Sequence, residues 1–200
     1  MARKPRNTDA TPDSPLRIIG GRLRGSRLKY SGDPRTRPMK DRVREAVFNL
    51  LGPAIKGTHG IDLFAGTGAL ALEAISRGSL SSTAIERHFP SAKIIQENAR
   101  NLDLSDAVDV YAGDTFFWSR DISKLPTDKP WVIFCCPPYA MYEEREGDLL
   151  DLLTKLINAA PPASSCIVEA DHRFDFTHLP QPDDWDVRSY SPAEVGMLVK

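Results

Sequence analysis

The sequence predicts an α/β fold, a mostly parallel, doubly wound sheet with helices on both faces. Three observations carry that prediction. From residue 60 onward, short apolar runs alternate with longer stretches of helical periodicity. The run 132–136 is wholly apolar, as expected of a strand covered on both sides. The first run closes on a glycine turn, Asp62-Leu63-Phe64-Ala65-Gly66-Thr67-Gly68, at the place where such sheets hold ligands.

Residues 1–15 hold three prolines among few apolar side chains and are expected to be a disordered basic tail. Residues 16–40 form the next unit, a basic hairpin and loop. Short, partly alternating stretches broken by Gly20, Gly21 and Gly25 predict the hairpin. In its second arm Arg27 and Lys29 share one face, Leu28 and Tyr30 the other. A loop through Gly32, Pro34 and Pro38 follows. The remaining unit, 41–200, opens with a helix that Asp41 is expected to cap. Val43, Ala46, Val47, Leu50 and Leu51 make its apolar stripe, with Arg42, Arg44 and Glu45 off it. Strands are expected at 60–64, 83–86, 108–112, 132–136 and 166–170, and helices at 69–77, 91–102 and 149–159. Gly78 is placed to end the helix before it. Runs at 187–190 and 195–199 would close the sheet as an antiparallel pair.

Charge is divided sharply along the chain. Residues 1–44 carry 13 Lys/Arg against four acids, whereas the rest carries 13 against 23, so a net charge of -1 hides a basic block. Such a block is the footprint of a polyanion. No apolar stretch approaches the ~20 residues that span a bilayer. Met1-Ala2-Arg3-Lys4-Pro5-Arg6 leads into no apolar region, so no secretory signal is read there and a cytoplasmic location is expected. Cys135, Cys136 and Cys166 are odd in number and lie in apolar runs, which fits reduced thiols better than disulfides. They lack the spacing and histidine partners of a zinc site, and no metal is expected.

Gly66 and Gly68 allow a sharp turn and close approach to a ligand. Gly66-Thr67-Gly68-Ala69-Leu70-Ala71 also fits the dinucleotide pattern, with Glu86 where a ribose-binding acid belongs. A P-loop is excluded, since no Gly-Lys-Ser/Thr follows. Asp62 argues against a pyrophosphate, which it would repel, and for an ammonium group such as that of a methionine moiety. Gly113-Asp114 ends the third strand with another acid, able to accept from an adenine amino group. Asp62, Glu86 and Asp114 thus end three successive strands, with Phe64, Arg87 and Gly113 as further cofactor candidates beside them.

Together these features resemble the class I S-adenosylmethionine-dependent methyltransferases, and within them the RsmD-like enzymes that methylate a guanine N2 in bacterial small-subunit (16S) rRNA. The residues that carry the resemblance begin with Arg17-Ile18-Ile19-Gly20-Gly21, Arg24-Gly25 and Arg37-Pro38. Asp41-Arg42-Val43-Arg44-Glu45-Ala46-Val47-Phe48-Asn49 and Asp62 through Leu70 are its most specific parts. Glu73-Ala74, Ser76-Arg77-Gly78, Glu86 and Pro137-Pro138-Tyr139 complete it. The resemblance implies a Rossmann-like, seven-stranded methyltransferase fold with an RNA-binding N-terminal hairpin. It implies S-adenosyl-L-methionine as cofactor, with Asp62, Gly66 and Gly68 at its methionine end, Glu86 at the ribose and Asp114 at the adenine. Arg17, Arg22, Arg24, Arg27, Arg37, Lys40 and Arg42 are the RNA-binding candidates, and the partner is 16S rRNA or a small-subunit assembly particle. A monomer that meets no membrane is expected.

The acceptor motif departs from the family pattern, which calls for Asp or Asn before Pro-Pro-Phe/Tyr. Here the catalytic candidates are Cys136, Pro137, Pro138 and Tyr139. A guanine amine becomes cationic as it attacks a methyl group, and acceptors aimed at its hydrogens stabilise that charge. Pro137 can present a carbonyl and Tyr139 a stacking face, but a thiol is a weak acceptor. An adjacent sulfonium favours the better-accepting thiolate, and an apolar strand end opposes it. A nucleophilic cysteine fits poorly, because such motifs place it after a proline. The competing readings are a weakened RNA- or ribosome-binding homologue and an enzyme for another exocyclic amine, such as adenine N6. An NAD-dependent oxidoreductase finds no support in acid/base residues.

Overall fold

The computed structural model describes residues 16–33, 36 and 38–200. The expected tail, 1–15, and Arg37 lie outside the described residues. In chain order the elements are α1 (Asp41–Leu51), β1 (His59–Asp62), α2 (Ala69–Arg77), β2 (Ser81–Glu86), α3 (Phe89–Asn101), β3 (Val108–Ala112), α4 (Thr115–Trp118), β4 (Trp131–Cys135), α5 (Ala140–Glu144), α6 (Glu146–Ala159), β5 (Ser165–Asp171), β6 (Trp185–Tyr190) and β7 (Ala193–Val199). The strands make one sheet in the order β3-β2-β1-β4-β5-β7-β6. β1 to β5 are parallel, and β7 runs antiparallel between β5 and β6. This is the expected seven-stranded methyltransferase fold. Because the chain runs outward from β1 to β3 and then returns to β4, the order reverses between β1 and β4. In open α/β sheets the crevice outside the carboxyl ends of the strands at such a reversal is where ligands bind.

Both faces are buried, which explains the apolar strands. Ile61, Ile133, Cys135 and Val168 pack with Leu149, Leu152, Leu153 and Leu156 of α6. On the opposite face Val132, Phe134 and Ile167 meet Val43, Val47 and Phe48 of α1 and Leu70 and Ala74 of α2. Gly78 ends α2 as expected, at φ 117° with its N–H on the Ala74 and Ile75 carbonyls.

The N-terminal hairpin is present in minimal form, one antiparallel bridge between Arg17 and Arg27. The segment takes its order from the domain beneath it. Ile18 and Leu28 are buried with Leu72 and Ile75 of α2 and Ala99 of α3. Arg22 N–H donates to the Ser76 carbonyl at 2.8 Å, and Lys29 and Asn98 exchange two hydrogen bonds of 2.8 and 2.9 Å. The face alternation holds, with Leu28 buried and Arg27 and Lys29 exposed.

Two expectations for α1 are corrected. Asp41 is the first helical residue rather than its cap, and its carboxylate pairs with Arg44 at 3.0 Å and Arg17 at 3.6 Å. Arg44 is 0% exposed and lies among the stripe residues rather than off them. Its guanidinium bonds Glu73 through Nε at 3.0 Å, and another nitrogen bonds the Arg17 carbonyl at 2.7 Å and Asp41 at 3.0 Å. Glu73, also 0% exposed, takes Arg77 on its other oxygen at 2.8 and 2.9 Å. A buried cation is tolerated because a charged partner and a carbonyl replace its water.

Candidate active site

Asp62 ends β1 beside Phe134 of β4, at the reversal of strand order. One carboxylate oxygen accepts from Ala71 N–H at 3.3 Å, and the other is buried with no partner among the described residues. Burial chiefly, with the charge of Glu86, pushes this carboxyl up to about 7, against the pull of the Ala71 and Phe64 amides. An orphaned, desolvated oxygen is a ready partner for a ligand cation.

Glu86 ends β2 and accepts two backbone donors at 2.7 Å each, Gly66 N–H on one oxygen and His88 N–H on the other. Each oxygen keeps lone-pair capacity for a hydroxyl. Two donors of the glycine turn are already taken, Gly66 N–H by Glu86 and Gly68 N–H by the Ala65 carbonyl at 2.6 Å. A pyrophosphate needs such N–H groups free, so neither is open to one. Asp114, exposed beyond β3, caps α4 by accepting from Phe117 N–H at 3.0 Å. Phe64 is half-buried against Phe116, with ring centroids 6.2 Å apart, and Arg87 is exposed beyond β2. Asp62, Glu86 and Asp114 thus step along one sheet edge, and the set fits a methyl donor's ammonium, ribose and adenine.

Two glycines have reasons the sequence did not show. A Cβ on Gly68 (φ 75°) would lie 2.7 Å from Ile95 of α3, so this glycine also makes room for a helix. One on Gly66 (φ 53°) would come 3.2 Å from Thr36. Tyr30 shapes that approach by donating to the Asp33 carbonyl at 2.8 Å and to that of Thr36. The loop after the basic segment therefore reaches the glycine turn. Gly113 has its own constraint, since a Cβ there would lie 2.6 Å from the Tyr111 ring.

The acceptor motif leaves β4 in the same crevice. Burial first, then the charge of Glu169 and of Asp62, raises the Cys136 thiol well above its ordinary range, which opposes a thiolate in the empty site. The Pro138 carbonyl is used by α5, accepting from Met141 N–H at 2.8 Å. No described residue donates to the Pro137 carbonyl. Tyr139 donates its hydroxyl to Glu169 of β5 at 2.5 Å, which holds the ring beside the motif. Glu169 was missed from the sequence, although its signal was that of Asp62: an acid within an apolar strand.

A family model described as conserved hypothetical protein 95 matches residues 16–189. The chain belongs to this family, the RsmD-like methyltransferases. It is 36% identical over 139 residues to the YlbH protein of Bacillus subtilis (strain 168), covering 70% of this chain and 72% of that one. It is 39% identical over 124 residues to ribosomal RNA small subunit methyltransferase D of Escherichia coli (strain K12), covering 62% of this chain and 60% of that one. The solved yhhF protein of Escherichia coli superposes with a TM-score of 0.75 at 25% identity, covering 94% of this chain and 98% of that one.

On this RsmD-like chain the RNA candidates are spread widely. Arg22, Arg24 and Arg27 are exposed, and the first two sit on the turn docked to Ser76 near the end of α2. That helix of nine residues puts them ~13 Å along its axis from the glycine turn. Arg17 is half-exposed and pairs with Asp41, and Lys40 is exposed. Arg42 donates to the Tyr190 and Ser191 carbonyls at 3.2 and 3.1 Å, which ties α1 to the β6–β7 turn. No helix among the described residues is long and apolar enough to cross a membrane.

Proposed function

We propose that this methyltransferase of ribosomal RNA methylates the exocyclic N2 of a guanine in small-subunit (16S) rRNA, free or in an assembling particle. The observation that carries the proposal is the meeting of Asp62's orphaned oxygen and the Cys136-Pro137-Pro138-Tyr139 turn in one crevice. S-adenosylmethionine, the cofactor, supplies an electrophilic methyl group there. Asp62 holds the ammonium of its methionine end, Glu86 the ribose hydroxyls and Asp114 the adenine. The target base leaves its stack to enter the crevice, as enzymes acting on bases require. Tyr139 stacks on it, worth ~1–3 kcal/mol, and the Pro137 carbonyl accepts one hydrogen of the amine. The surrounding protein excludes water, so these dipoles act at low dielectric.

Tritium transfer from labelled cofactor to undermethylated 16S rRNA and to small-subunit particles tests this, followed by nucleoside identification. N2-methylguanosine is expected. A labelled adenine would replace the guanine assignment, and no label in any nucleoside would reject the reading.

The exposed arginines of the docked segment should supply phosphate contacts for the same substrate. Replacing Arg22, Arg24 and Arg27 by alanine should weaken RNA binding uniformly across sequences and flatten its salt dependence, by up to about one log unit per lost contact. Calorimetric affinity for the cofactor should stay as in the wild type, because these side chains face solvent far along α2. A salt slope equal to that of the wild type would move the RNA surface elsewhere.

A further inference from the structure

The acceptor turn lacks the family's side-chain oxygen, yet a carboxylate stands one strand away. Cys135 of β4 pairs with Val168 of β5, so the next residues, Cys136 and Glu169, leave adjacent parallel strands side by side. Side chains alternate along a strand. Cys136 therefore shares its face with Phe134, and Glu169 shares its face with Ile167. Phe134 and Ile167 belong to the same cluster, packed under α1 and α2. Asp62, paired with Phe134, points to that face too. The Cys136 thiol therefore sits between two carboxylates, Asp62 and Glu169, the two side-chain acids whose charges bear on it most. Asp62 belongs to the cofactor's ammonium. Glu169 is held at one oxygen by Tyr139 at 2.5 Å, while its other oxygen takes no hydrogen bond among the described residues.

We propose that Glu169 is a catalytic residue that supplies, from β5, the acceptor oxygen that Cys136 cannot supply from β4. The inference rests on the amine-methylation reading above. The small thiol leaves room for the amine to reach across to the neighbouring strand, and Tyr139 both stacks on the base and aims the carboxylate. In the transfer, the amine lone pair forms the new N–C bond and the C–S bond breaks, its electron pair staying on sulfur. The surplus proton on nitrogen passes to the Glu169 carboxylate and from there to water. Burial raises the affinity of Glu169 for a proton, which suits that role.

Restoring the family's residue by Cys136→Asp would add a third carboxylate between Asp62 and Glu169, where like charges oppose its ionisation.

The test compares Glu169→Gln with Tyr139→Phe in the tritium assay at saturating cofactor and RNA. Gln keeps an oxygen for the Tyr139 hydroxyl but loses the anionic acceptor, so kcat should fall about 10²-fold, as for deletion of one aimed group in other sites. Cofactor affinity and the thermal midpoint should stay close to wild type. Tyr139→Phe removes the tether alone and should cost less. A Glu169→Gln enzyme of wild-type rate beside an impaired Tyr139→Phe would reduce Glu169 to a tether and overturn the proposal. Loss of cofactor binding in Glu169→Gln would assign it to structure and do the same. The wild-type assay separates the two readings: a labelled adenine overturns the guanine assignment alone, and a wild type that labels nothing overturns both.

Discussion

Asp62→Asn should lower cofactor affinity at least about 100-fold, and should at the same time stabilise the empty protein at alkaline pH. Both effects come from the orphaned oxygen. Truncating one partner of a buried, hydrogen-bonded charge pair costs about 2–5 kcal/mol, and the amide offers the ligand's ammonium no charge. In the empty protein the carboxyl's affinity for protons is raised to about 7 by burial, against about 3.9 in an unfolded chain. Between those values the unfolded state has lost the proton and the folded state keeps it. Stability contributed by this group therefore falls as pH rises from about 4 to about 7, by up to about 4 kcal/mol. Thermal unfolding at pH 5 and pH 8 should show the wild type losing ground to Asp62→Asn across that window. Calorimetry should show wild-type cofactor affinity climbing through about pH 7, as the carboxylate that meets the ammonium forms, and a flat profile for the variant. Parallel stability curves for the two proteins would mean that Asp62 is solvated and the site differently built.

Which parts of this architecture were legible follows from the range of the interactions behind them. α2 spans the expected 69–77 because a glycine bounds it at each end, and β3 spans 108–112 as read. β4 ends at Cys135, one residue before expectation. Pro137 has no N–H with which to continue a ladder. Helix α3 starts at Phe89, two residues early, since Pro90 favours a first turn. The four- and five-residue helices α4 and α5 are too short to show a period. Asp62 and Glu86 stood out because a carboxylate in an apolar strand is costly unless it has a purpose, and Glu169 carried the same signature. Arg44 was not readable. Its burial depends on Glu73, 29 residues away on another helix, and no local pattern reports a partner at that distance. The second demand on Gly68 was equally hidden, since the side chain that a Cβ there would meet is Ile95, from another helix.

The Arg44–Glu73 contact is also where the fold is most exposed to a single change. Glu73→Ala should destabilise the protein by about 3 kcal/mol, because it strips a buried guanidinium of its buried counter-charge and leaves only the partly exposed Asp41 beside it. For a chain of this size that is a fall in thermal midpoint of roughly 10 °C. The penalty reflects the stranded partner rather than the net worth of the pair. Replacing both members by apolar residues of similar volume, as in Arg44→Met with Glu73→Leu, should therefore recover most of the loss. Recovery will be incomplete, since the same cluster fastens the basic segment: Glu73 accepts from Ile19 N–H at 3.3 Å and Arg44 donates to the Arg17 carbonyl. With those bonds gone, the turn carrying Arg22 and Arg24 keeps only its Ser76 contacts. The double variant should thus bind cofactor like the wild type, yet bind RNA more weakly and be cut faster by trypsin between residues 17 and 29. A single Glu73→Ala variant within 1 kcal/mol of the wild type would show that Asp41 or water satisfies Arg44, and that the basic segment is held by its apolar contacts and its Ser76 and Asn98 hydrogen bonds without the buried pair.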